Sequence, residues 1–424
     1  MSRIKTFQII KTFPKNIHIM VASEALYALA TGIFFFLQIL YYDFIGLSAE
    51  SIGIIFSIGS LFTLVGFFMG PFIKLVGRKR ILCIGLLISA IGIGLHMGFT
   101  TMIILLLGQV LINIGSCLIQ VTELQLLYSY TTGQKECCAY SYKYSVNLIA
   151  GAVGALIGGN ITDISYFANV GYRKLFLVSA IILTITSAIR YFLLPKDITN
   201  EVENVEVKRS MRQSIKALKS DKYIRLFAIL LFINTIGFSG VGPYNNLILK
   251  NSFNLGNNII SYITFSLTIL SMIGLILMPG IIEKFGVGKF NITVFIISIV
   301  SCFTLSLISN SKLFVLFLII RGVFVGIIVS SLDSLMMSNI SIEHRDIFAA
   351  VKMLVHGVSI ALGNLIGGTI LNNWGYRYNY LYGSVVLICA AAFFYLKVRG
   401  NMENTIINRD CPCHFKVKHV EYKK

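Results

Sequence analysis

The chain reads as an all-α membrane protein with twelve transmembrane helices arranged as two pseudo-symmetric six-helix bundles. Three observations predict this: apolar residues gathered in long runs, positive charge gathered on one side of those runs, and an internal repeat. Of the 424 residues, 56% are hydrophobic and only 13% charged, with a mean hydropathy of +0.80. A soluble domain carries about twice that charged fraction.

The apolar runs are 17–42, 52–73, 81–99, 102–129, 139–161, 175–194, 224–249, 259–282, 290–308, 313–336, 347–371 and 378–396. Runs of this length, as helix, cross the roughly 30 Å of bilayer hydrocarbon. A soluble protein with this many buried helices would have almost no polar surface left. Arg3, Lys5, Lys11 and Lys15 precede the first run, which is too long for a signal core and lacks a small-x-small cleavage site. The first helix is therefore expected to stay.

The formal net charge is +18. Numbering the loops alternately puts the termini and the basic stretches 74–80, 135–143, 196–225, 284–289 and 345–352 on one side. The opposite side holds Arg173, Lys174, Lys250, Lys312 and Arg377. This is the positive-inside bias, and it predicts a multi-pass plasma (cell) membrane protein with both termini cytoplasmic. The charge reports topology, so no nucleic-acid partner is expected.

Residues 143–161 recur with changes at 352–370, an offset of 209. Gly154, Gly158 and Gly159 fall on Gly363, Gly367 and Gly368, Lys143 on Lys352, and Gly77 on Gly286. Two similar halves create a seam, and substrate sites of membrane proteins lie in such seams. The expected organisation is a cytoplasmic tail (1–16), a first bundle (17–194), a linker (195–222), a second bundle (223–398) and a cytoplasmic tail (399–424). The linker turns from acidic to basic. Ile215 and Leu218, set against Lys208, Arg212, Lys216 and Lys219, suit either a helix on anionic headgroups or a solvated connector.

Cys83, Cys117, Cys302 and Cys389 lie inside runs and behave as small apolar residues. Cys411, Cys413 and His414 in the tail match no standard zinc spacing. No metal and no cofactor are expected.

An ionisable side chain in a helix core costs about 2.5–3.5 kcal/mol on insertion scales, so each needs a partner, a wet cavity or a function. Glu24, Glu123, Lys143, Asp333 and Lys352 fall in the cytoplasmic third, and Arg321 lies near mid-membrane. Glu24 has no neutralising residue nearby in sequence. It is the candidate for proton coupling, with recognition of a cationic substrate or a structural role as alternatives. The seventh run is broken by Gly237, Gly240, Gly242 and Pro243, which frees backbone groups for a cavity beside Asn234, Tyr244 and Asn245. Arg321, Gln120, Asn364, His356 and Tyr27 complete the expected substrate cavity. Arg321 is read either as an anion contact or, preferably, as an internal counter-charge.

Gly70, Lys74, Gly77, Arg78, Lys79 and Arg80 form a loop signature that resembles the major facilitator superfamily, as do Glu283, Lys284 and Gly286 in the second half. The resemblance covers 15–398, with Lys74 where that family carries an acid. It implies alternating access and a cytoplasmic gate made by the fourth, fifth, tenth and eleventh helices. A crossed pairing is then expected when the inner gate is shut, Glu123 with Lys352 and Asp333 with Lys143, the alternatives being pairs within each hairpin or lysines that snorkel to the interface. Gly154, Gly158 and Gly159 also resemble the helix-5 motif of drug/proton antiporters, with Ala155 in place of its proline. Helix packing explains these glycines as well.

The expected function is therefore secondary transport, with proton-coupled export of a small amphipathic organic compound. Proton-coupled uptake of a small nutrient is the alternative. The expected partners are that small molecule, protons and the lipid bilayer, for a protein acting as a monomer. An integral-membrane enzyme is disfavoured, because six histidines form no H-E-x-x-H set and no phosphate-binding G-x-x-x-x-G-K-[ST] loop is present.

Overall fold

A computed structural model describes residues 12–131, 136–162, 171–195, 221–339 and 345–399. Twelve helices among them are long and apolar enough to cross a membrane. The first bundle contains α1 (Lys15–Phe44), α2, α3 (Arg78–Gly98), α4 (Met102–Ser129), α5 (Glu136–Thr162) and α6 (Gly171–Leu193). Helix α2 comprises Ala49–Leu61, a 3-10 stretch Phe62–Phe68 and Met69–Val76. The second contains α7, α8 (Asn257–Phe285), α9 (Val287–Leu307), α10 (Ser311–Asn339), α11 (Arg345–Trp374) and α12 (Tyr376–Phe393). Helix α7 runs over Lys222–Ser239, breaks at a 3-10 turn Gly242–Tyr244 and resumes over Asn245–Asn251. Residues 196–220 of the predicted linker and 400–424 of the predicted C-terminal tail, with Cys411, Cys413 and His414, lie outside the described residues.

Local chemistry sets the boundaries. Ser48 Oγ accepts the Ser51 N–H at the start of α2, and Asp221 Oδ1 accepts the N–H groups of Tyr223 and Ile224 at the start of α7. Gly77 (φ 90°) joins α2 to α3, and its repeat partner Gly286 (φ 79°) joins α8 to α9. Positive φ is open to glycine at little cost, so the shared glycine of the two basic loops has a backbone reason.

Within the first bundle α1 packs on α5 and α6, and α3 on α4 and α6. In the second, α7 packs on α11 and α12, and α9 on α10 and α12. The bundles meet along α2 with α11 and α5 with α8. A Cβ on Gly159 would fall 2.3 Å from the Ser261 Cβ, and one on Gly368 would fall 2.6 Å from the Ala49 carbonyl oxygen. Backbones approach this closely only where the side chain is a hydrogen.

These contacts lie at the end of the molecule away from the basic loops, and polar bonds tie the same end shut. Asn257 Nδ2 donates to Thr162 Oγ1 (3.1 Å) and Tyr172 OH (2.8 Å). Asn251 Nδ2 donates to Asp43 Oδ1 at 2.7 Å, with Lys250 Nζ 3.7 Å from Asp43 Oδ2. At the basic end, ion pairs among the described residues stay within one bundle.

Substituting Gly159→Leu should pry this closed end apart. A cysteine at Thr162, which is 5% exposed, should then react severalfold faster with a membrane-impermeant maleimide than in the parent. An unchanged rate would show that the glycine contact does not hold the seam.

Candidate functional site

Four charged side chains from four helices of the first bundle converge near the basic end: Glu24 of α1, Glu123 of α4, Lys143 of α5 and Arg190 of α6. Arg190 Nη2 lies 2.7 Å from Glu24 Oε2 and 2.9 Å from Glu123 Oε1. Its Nε donates to Ser23 Oγ at 3.0 Å. Lys143 Nζ is 3.5 Å from Glu24 Oε1 and donates to Glu123 Oε2. Asn147 Nδ2 donates to Glu24 Oε1 at 2.6 Å. The Tyr27 ring centroid lies 6.0 Å from the Arg190 guanidinium carbon.

Arg190, Glu24 and Glu123 are 0%, 1% and 4% exposed, so the cluster must balance itself. Two acids face two bases, and the sum is neutral. Adding one proton frees a carboxylate from Arg190 and leaves a net positive charge in a poorly solvated place, a change large enough to bias helix positions. The arrangement can therefore exchange a proton for a rearrangement of α1, α4, α5 and α6.

One expectation needs correction: Glu24 lacks a counter-charge only along the sequence, and α5 and α6 deliver Lys143 and Arg190 to it. The crossed pairing belongs to a shut basic-end gate, and in the state described here the pairs at that end lie within each bundle. Glu123 takes Lys143, and Asp333 Oδ2 takes Lys352 Nζ at 2.7 Å. In each case the lysine belongs to the neighbouring helix of the same bundle, within reach of a carboxylate held on the opposite hairpin arm.

Arg190 is the residue that sequence reasoning misses. An arginine close to the end of an apolar run is ordinarily an interfacial snorkeller, and only the fold aims this one inward. A signal did exist, since Arg399 stands 209 positions later, at the repeat's own offset. The second half has no acid to match Glu24, because Ile233 occupies that place. Arg399 lies over the ring of Tyr395 instead, 5.5 Å from its centroid.

The remaining expected residues scatter. Tyr244 OH donates to the Asn364 carbonyl at 2.6 Å, and a Cβ on Gly53 or Gly368 would fall 2.8 or 2.7 Å from that hydroxyl. The pair thus belongs to the closed seam. Asn245 Oδ1 accepts from Tyr380 OH at 2.9 Å. Arg321, 3% exposed, sits within the second bundle with its guanidinium carbon 5.6 Å from the Tyr380 ring centroid, so it does not neutralise Glu24. Asn234 is buried, whereas Gln120 and His356 are exposed. Phe34 and Tyr41 pack on Phe176 as core aromatics. In the loop signature, Lys79 Nζ donates to the Leu194 carbonyl at 2.5 Å; the side chain of Lys74 lies outside the described part.

A second buried polar group joins α1, α3 and α4. His96 Nδ1 lies 2.8 Å from the Gly92 carbonyl, which can only accept, so Nδ1 carries the proton. Nε2 of the neutral ring then accepts from Tyr42 OH at 2.6 Å. The Tyr42 oxygen accepts from Gln38 Nε2 at 2.9 Å, and Gln38 also donates to Gln109 Oε1. No sequence spacing announces this chain, whose members come from three separate runs.

Twelve membrane-length helices in two bundles joined at a seam, with a neutral charge cluster in one of them, define a membrane transport fold. Residues 20–244 and 227–410 match the model of the Major Facilitator Superfamily, and the chain belongs to that family. No curated protein matches the sequence. Among solved structures, the chain is similar to the nucleoside transporter NupG (13% identity, TM-score 0.72, covering 90% of this chain and 99% of that one). A bacterial homolog of the human lysosomal transporter Spinster, in an inward-facing and occupied conformation, aligns with 11% identity and TM-score 0.73 over 92% of this chain and 97% of its own. A D-xylose-proton symporter aligns with 13% identity and TM-score 0.72 over 90% and 96%. At these identities the likeness establishes the fold.

Removing Arg190 while keeping both acids should be strongly destabilising, by about 3–5 kcal/mol as for other broken buried pairs. Arg190→Gln should lower the thermal unfolding midpoint in detergent. Adding Glu24→Gln should restore much of the loss, because one stranded carboxylate is then removed. Additive losses in the double variant would mean that the two side chains are not coupled.

Proposed function

We propose that the protein is a secondary active transporter that works by alternating access and is driven by protons through Glu24 and its cluster. The observation that supports this best is the shared guanidinium of Arg190, 2.7 Å from one carboxylate and 2.9 Å from another. A proton arriving on Glu24 hands Arg190 to Glu123 and loosens α1 from α6. That is a local charge event acting on helices that also touch the seam, since α5, which contributes Lys143, packs on α8 of the other bundle. The seam closed at one end and the bundles' separate ion pairs at the basic end match one limiting state of such a cycle. By the positive-inside bias that end faces the cytoplasm.

Export of a small amphipathic organic compound is the direction we propose, from the glycine pattern of α5. Uptake of a small nutrient is the second reading, kept because Gly159 sits against Ser261 as a seam contact, which gives the glycine pattern a packing cause independent of export. The basic-end gate is proposed to close by bringing Glu123 and Lys143 against Asp333 and Lys352.

In proteoliposomes screened with a compound panel, the wild type should move protons only when its substrate moves, and the sign of that movement gives the direction. Glu24→Gln, at intact expression, should drop proton-coupled transport to background while substrate exchange down no gradient continues. Coupled proton flux at wild-type level in Glu24→Gln would end the assignment.

A further inference from the structure

The outer face of the first bundle carries a groove of about 410 Å³ between α3 and α6, lined chiefly by Ile84 and Leu87 from one side and Thr184, Ala188, Tyr191 and Phe192 from the other. Small side chains on α6 make its floor, and Tyr191 and Phe192, 50% and 78% exposed, stand up as its wall. Helix α6 touches the second bundle at Tyr172, which accepts from Asn257, at the end remote from Thr184–Phe192, and α3 and α6 pack chiefly on each other and on α1 and α4. The groove therefore opens to the bilayer and not to the seam.

Its mouth is charged. Arg80, in the first turn of α3, lines the groove and is exposed. Among the described residues no carboxylate pairs with it. The adjacent Lys79 is engaged on the Leu194 carbonyl, 5.6 Å from the ring centroid of the groove residue Tyr191. From Arg80 to Leu87 the groove descends about 10 Å at 1.5 Å per residue. A cation at helix-end level above a dry slot of that depth matches one kind of bilayer molecule: a phosphate group at the interface with a hydrocarbon chain below it. Charge selects further. The leaflet at a protein's basic end is the one that carries anionic lipid, and a guanidinium binds phosphate through paired N–H donors.

We propose that this groove holds one anionic phospholipid, its phosphate on Arg80 and one acyl chain along Ile84, Leu87, Thr184 and Ala188. The site has a connection to the charge cluster. Ala188 and Tyr191 face the groove, while Arg190 leaves the same turn of α6 toward Glu24 on α1. Ser187 Oγ, also at the groove, donates to the Cys83 carbonyl at 3.0 Å and fixes α6 against α3. Lipid in the groove braces the helix that carries Arg190. The binding itself stands whether or not the cluster moves protons.

The test is native mass spectrometry of the purified full-length chain in detergent, given equal amounts of palmitoyl-oleoyl phosphatidylglycerol and phosphatidylcholine. The wild type should retain one phosphatidylglycerol with roughly fivefold preference, the size of one interfacial basic residue's contribution. Arg80→Gln should lose the preference and Arg80→Lys should keep most of it. Ala188→Leu, which fills the slot and leaves the charge, should lose the retained lipid of either kind and carries the test if Arg80→Gln does not fold. Equal retention of both lipids by the wild type, or an undiminished preference in Arg80→Gln together with normal retention in Ala188→Leu, would overturn the proposal.

Discussion

One guanidinium organises the first bundle. Arg190 reaches from α6 across to α1 and α4, and neither of its two carboxylates has water to turn to. Breaking a buried pair strands a charge, whereas exchanging partners inside the cluster does not. The cluster therefore resists loss of a member yet tolerates redistribution among members. Those are the properties required of an element that must hold a bundle together and still change state. Lys143 supplies the fourth charge without which two carboxylates would face a single cation.

The seam between the bundles rests on a different physics. Hydrocarbon solvates leucine as well as another helix does, so apolar burial gives helices in a membrane little reason to prefer each other. Close backbone contact and polar bonds must do it. Gly159 against α8 and Gly368 against α2 supply the first. Asn257 and Asn251 supply the second.

The fold was legible because its causes are local or periodic. Twelve apolar runs give twelve helices, the offset between Gly77 and Gly286 gives two equivalent turns, and the repeat gives the halves. The site was half legible. Glu24, Glu123 and Lys143 stand out as charges inside apolar runs, which insertion energetics alone marks as needing partners. Their partnering was not legible, because it depends on which helices pack side by side. Arg190 could be read as a snorkelling end residue, and Lys352 as within reach of Glu123, until α4, α5 and α6 had neighbours. The His96–Tyr42–Gln38–Gln109 chain shows the same limit: each member alone is an ordinary polar residue in a helix, and only the fold connects them.

The two halves share a backbone plan but not a charge plan, and this difference bears on mechanism. At the repeat's offset, Lys143 and Lys352 are equivalent, and so are Arg190 and Arg399, yet Glu24 meets Ile233. Losing that one acid leaves the second half with a simple Asp333–Lys352 pair, about a third exposed on each side chain, where the first half has a buried quartet. A half-exposed pair in reach of water gains little and releases little when it breaks. A buried quartet cannot change its proton count without changing its geometry. In this chain the groups whose protonation and structure are inseparable lie in the first bundle, which touches the second along the seam that α5 and α2 share with it.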